Sequence, residues 1–115
     1  MAFERGRFCE LAAGLCGLAP SEQYLIGMIS LFPAMLRILM EDLTRMLPLR
    51  QAACEALLGR EIIDGILLHW IVCEEHGDWA VCDAIVRASG LRHEQMMRCH
   101  AEAVAWTEAA LSSNA

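Results

Sequence analysis

The chain has 115 residues, 57% of them apolar, and a formal net charge of −6, with nine basic residues that are all arginine. That length suits one domain, 1–115, with a single core, and an acidic chain without a basic cluster disfavours binding to a phosphate backbone, hence nucleic acid. So large an apolar fraction exceeds what a monomer of this size can cover, which predicts a homodimer or higher homo-oligomer built through apolar helix faces.

Periodicity is helical throughout, and no segment alternates with period two. A first helix is expected from about Arg7 to Leu15, ending near Gly17. Ser21 is the expected N-cap of a second helix through "EQYLIGMISLF", which Pro33 ends or kinks; "AMLRIL" either continues it or starts afresh with proline in the first turn. "MEDLTRML" predicts a short helix closed by Pro48, and "LRQAACEALLG" another, stopped by Gly59. "EIIDGILLHWIVCEEH" is the most apolar segment and the expected centre of the bundle. Gly77 stops it and Asp78 caps "WAVCDAIVRAS", which Gly90 stops. The last helix is expected from roughly Arg92 to Leu111, fraying into "SSNA". Six or seven short helices with Gly and Pro turns predict an all-α, compact orthogonal bundle.

The six cysteines, Cys9, Cys16, Cys54, Cys73, Cys82 and Cys99, show no CxxC spacing and fall inside apolar helical patterns. They read as reduced packing residues of a cytoplasmic protein, not as a disulfide framework. Glu10 interrupts the signal-peptide-like start, and the longest uncharged run, Gln23 to Leu36, is too short to span a bilayer. A soluble chain without a membrane segment is expected.

Chemistry-bearing residues concentrate in "LHWIVCEEHGDW", Leu68 to Trp79. His69, Cys73 and His76 fall within about a 60° arc of one helix face and are the weak candidates for a zinc site. The same stripe carries Ile62 and Ile66, so a core cysteine flanked by half-buried histidines is the simpler reading, with Glu74 and Glu75 solvated. On the last helix His93, Met97, His100, Val104 and Leu111 share a face. Cys99 and His100 are adjacent in sequence but about 100° apart around the axis, so they do not form a nucleophile–base pair by themselves. Ser30 has no GxSxG context, no His-Asp dipeptide is present, and "EAL" at Glu55 to Leu57 is a helical coincidence. A P-loop, a Rossmann fingerprint and a calcium loop are absent. No cofactor or metal is expected.

Five stretches in order carry a resemblance. They are Cys9-Glu10, Gly27 to Leu31 ("GMISL"), Met40 to Leu49 ("MEDLTRMLPL"), Ala56 to Gly59 ("ALLG") and Gly77 to Trp79 ("GDW"). Together they resemble the C-terminal part of HDOD domains, in particular those attached to EAL domains in bacterial cyclic-di-GMP signalling proteins. The resemblance implies a helical relative of the HD hydrolases without their metal ligands, serving as a non-catalytic signalling or interaction module with a protein partner. A full module is nearly twice this length, so the chain resembles its C-terminal half. "GDW" is then expected to be a helix stop, a cap and an aromatic anchor packed under the turn. The alternative is a small hydrolase of phosphoesters or esters using His69, Cys73, His76, Asp78, Cys99 and His100; it requires those groups to converge on one pocket.

Overall fold

The computed structural model describes residues 2–112. Eight α-helices follow one another: α1 Ala2–Cys16, α2 Pro20–Ile29, α3 Phe32–Leu36, α4 Met40–Met46, α5 Gln51–Leu57, α6 Ile66–Glu75, α7 Trp79–Ser89 and α8 His93–Ser112. A 3-10 turn, Ile63–Gly65, leads into α6, and no strand occurs among the described residues. The fold is all-α and compact, with a radius of gyration of 13.8 Å, near the value of about 13 Å expected for a folded chain of this size.

Glycine sets three of the helix ends through one device. Gly17, Gly59 and Gly77 take left-handed φ values of 68°, 81° and 72°. Each is followed by an amide that reaches back five residues, as in Asp78 N–H to the Cys73 carbonyl at 2.8 Å. This is the paired-carbonyl ending that glycine adopts without a Cβ penalty. Arg37 ends α3 the same way at φ 57° with no such relief.

Several boundaries differ from the sequence reading. The first helix begins at Ala2, a turn and a half before Arg7, because Phe3 to Gly6 continue the helical pattern with nothing to break it. The second is entered at Ala19 with Pro20 in its first turn, so Ser21 is inside the helix and caps nothing. Of the two readings at Pro33 the fresh start holds: it sits in the first turn of a separate helix, α3, and the count is eight. The segment from Glu61 does not run as one helix, since a 3-10 turn precedes Ile66. Residues 113–115 lie outside the described residues.

The centre of the bundle is α1, not α6; α1 packs against α2, α6 and α8 together. Its buried stripe is Arg5, Phe8, Cys9, Ala12 and Ala13, spaced i, i+3, i+4, i+7, i+8 as one helix face requires. Phe8 stacks on the fully buried Trp70 of α6 with ring centroids 5.3 Å apart. Against α2 the approach is closer still. A Cβ on Gly27 would stand 2.7 Å from the Arg5 carbonyl oxygen, and one on Gly6 would stand 2.9 Å from that of Tyr24. Two glycines thus let two backbones touch, and that contact fixes the position of Arg5.

Candidate functional site

Arg5 enters the interior with its guanidinium fully engaged. Its Nε donates to Glu75 at 3.2 Å and its Nη2 at 2.5 Å, while Nη1 donates to the Ser30 hydroxyl at 2.9 Å. Ser30 in turn donates to the Gly27 carbonyl at 2.6 Å. The ion pair is shielded, with side chains 8% and 13% exposed, so its groups need every one of these bonds to offset lost hydration. One charged pair therefore ties the start of α1 to the end of α2 and the end of α6. Cys9 lies in the field of this pair, and burial above all pushes its thiol up to about 12, with Arg5 pulling it down and Glu75 adding to the rise.

Beside this centre, His100 of α8 sits between two carboxylates. Its Nε2 is 3.5 Å from Glu4 of α1 and its Nδ1 is 3.9 Å from Glu74 of α6. The Phe8 ring meets it edge-on at 6.3 Å. Glu74 is nearly enclosed, and its Oε2 has no hydrogen-bond partner among the described residues. Glu74 and Glu75 are thus interior groups, contrary to their expected solvation. The buried α6 stripe of Leu67, Trp70 and Ile71 simply continues through them at the same spacing.

The other proposed residues do not join this centre. His69 is exposed, not half-buried, because the apolar face of α6 points through Trp70 and Ile71 to the far side. Cys73 is half-buried at the core edge, and burial raises its thiol, with Asp78 adding to the rise. His76 is also exposed; it closes α6, with Nδ1 2.7 Å from the Val72 carbonyl. Asp78 caps α7, its Oδ1 accepting from the Val81 amide at 3.4 Å. Trp79 is not packed under the turn: it is 60% exposed, and only its ring edge comes near Gly77.

On α8 the inward face is centred on Met96 and Ala103 rather than on Met97 and Leu111. Cys99 packs at the core edge, its thiol raised by burial first, then by Glu102 against the opposing Arg98. The pairing of His100 is with carboxylates, not with that thiol. Among the described residues no group of three His, Cys, Asp or Glu side chains is placed to hold a metal ion. The six cysteines are free thiols, and the raised values at Cys9, Cys16, Cys73, Cys82 and Cys99 keep them protonated at neutral pH, away from the thiolate that a nucleophile requires.

A wide concavity lies elsewhere. A groove of about 770 Å³ runs between the segment from Arg60 to Val72 and the α7 face carrying Val81 and Ile85; of the six proposed residues, only His69 lines it. A second ion-pair set stands nearby. Arg50, ahead of α5, donates to Glu22 of α2 at 2.7 and 2.6 Å and to Asp64 of the 3-10 turn at 3.2 Å. The buried Gln23 amide donates to the Asp64 carbonyl at 3.0 Å.

Over 103 residues the chain is 30% identical to a protein of Bacillus subtilis (strain 168) whose name is "Uncharacterized protein YuxH". The likeness covers 89% of this chain and 25% of that one, so the chain spans about a quarter of the length of the curated relative it matches. No family model matches, and no solved structure matches.

Proposed function

We propose that the chain is a non-catalytic helical interaction module of the HDOD-like kind, cytoplasmic and homo-oligomeric, whose output is partner binding through helix faces. The observation that carries this reading is the use made of the residues behind the resemblance. Gly27 permits the α1–α2 backbone contact, Ser30 holds Arg5, Cys9 lies buried beside the Arg5–Glu75 pair, and Gly59 and Gly77 end helices. The residues behind the resemblance thus serve as frame, while the candidate catalytic groups are dispersed, capped or paired.

The surface supports the same reading. Phe3, Met35, Leu36, Leu39 and Met46 are each more than half exposed, and Phe3, Leu31 and Met35 line a shallow apolar hollow of about 440 Å³. Methionine-rich apolar surface is the adaptable kind used for protein contacts. No helix among the described residues is long and apolar enough to cross a membrane. Light scattering from micromolar to millimolar concentration tests the self-association: a dimer or larger species is expected, and a monomer of 12.8 kDa throughout contradicts it.

A further inference from the structure

The groove beside α6 and α7 has a polarity that the frame does not explain. Residues 76–78 join the two helices into a hairpin, and the Cys82 thiol reaches the Trp70 carbonyl at 3.7 Å. The end lined by Val72 and Val81 is therefore the end nearest the turn, and it is apolar. Ile66 and Ile85 continue the apolar walls away from the turn. From Val72 to Ile66 the helix spans about 9 Å. The opposite end carries Arg60, Glu61 and Ser89 beside Leu57, Ile62 and Ile63. The Ser89 hydroxyl is turned back onto the Ile85 carbonyl at 2.6 Å. Among the described residues Arg60 makes no ion pair, not even with its neighbour Glu61, a state it shares with Arg37, Arg87, Arg92 and Arg98.

We propose that this groove is a binding site for a medium-chain carboxylate, its alkyl chain along Ile66, Val72, Val81 and Ile85 and its carboxylate on the Arg60 guanidinium. Three features select this occupant. A volume of about 770 Å³ lies in the range of small-molecule sites, about 300–1,000 Å³. Ile66, Val72, Val81 and Ile85 offer dispersion contacts to an alkyl chain, with the His69 imidazole as the polar group between them. The unpaired guanidinium presents a planar fork that matches a carboxylate in two parallel bonds. Glu61 opposes the headgroup and sets a limit on affinity. The ligand site is separate from the exposed α3 and α4 surface assigned above to partners, so each stands or falls alone.

The test is an amide NMR titration of the full chain with decanoate below its micelle concentration, with decyltrimethylammonium as the headgroup control. Saturable shifts confined to residues 60–72 and 81–89 are expected, with the cationic control bound at least tenfold more weakly. Arg60→Gln should raise the Kd about tenfold, the scale of one charge-assisted bond, and leave other amides in place; Glu61→Gln should lower it. Equal binding of the cationic amphiphile, an unchanged Kd in Arg60→Gln, or no saturable shift would overturn the proposal. So would groove amides that move with protein concentration alone, which would put a second copy of the chain in the groove.

Discussion

Arg5 and Glu75, seventy positions apart, meet through two nitrogens and two oxygens at 3.2 and 2.5 Å. Their helices run in opposite directions at this contact, since Phe8, three residues after Arg5, stacks on Trp70, five residues before Glu75. The ion pair and the aromatic stack are therefore consecutive rungs of one α1–α6 interface.

Removing one partner of that pair strands the other charge in the interior. Arg5→Met should destabilise by about 3–5 kcal/mol, as should Glu75→Met. The double variant should recover most of that loss, because a matched apolar pair leaves no unpaired charge. Urea unfolding of the three variants checks this, and additive losses in the double variant would deny the coupling.

The two glycine positions on α1 and α2 predict opposite signs. Gly27→Ala drives a Cβ into the Arg5 backbone and should cost about 1–3 kcal/mol as the helices separate. Gly14→Ala, in the exposed interior of α1 with open space around it, should stabilise by about 0.4–1 kcal/mol. Melting temperatures of the two variants should move in opposite directions.

How much of this was legible depended on whether a residue's neighbours lay on its own helix. Helix ends at Gly17, Gly59, Gly77 and Gly90, and the cap at Asp78, are local events, and the local pattern carries them. The buried charges were missed although a signal exists. Arg5 heads the stripe Phe8, Cys9, Ala12, Ala13, and Glu74 and Glu75 finish the stripe Leu67, Trp70, Ile71, both at i, i+3, i+4, i+7, i+8. A charge in register with an apolar face marks a buried pair, but only packing reveals its partner. The histidine and cysteine cluster misled for the converse reason. One helix face was taken as one site, while α6 points its core face through Trp70 and leaves His69 outside.

The acid response should involve Glu22. Hydrogen bonds from Arg50 hold its carboxyl below the usual 4.5, with burial opposing and the charge of Arg50 assisting. A group depressed by folding contributes stability above its unfolded value, and that contribution is lost as pH falls through the folded one. Stability should therefore decline below about pH 4.5, and Glu22→Gln should flatten that part of the curve. Urea midpoints between pH 2.5 and 6 check the slope.

Thiol reactivity should follow burial. Cys9 and Cys82, both fully buried and pushed up to about 12 and about 11, should resist iodoacetamide at pH 8 in the native chain and react in denaturant. Mass spectrometry of partly labelled protein checks the order. Early modification of Cys9 would mean that the α1–α6 interface opens readily.

The proposal to test is that the histidines and cysteines maintain a frame or stand at the surface and do not act as catalytic groups. The most direct measurement is steady-state turnover of phosphodiester and carboxylester substrates by the chain and by its His69→Ala, Cys73→Ala, Cys99→Ala and His100→Ala variants, each with its melting temperature. The expected result is a rate no faster than that of a histidine-matched control protein, with exposed His69→Ala leaving stability within about 0.5 kcal/mol. Saturable turnover abolished in one of these variants, with its melting temperature unchanged, would contradict the account.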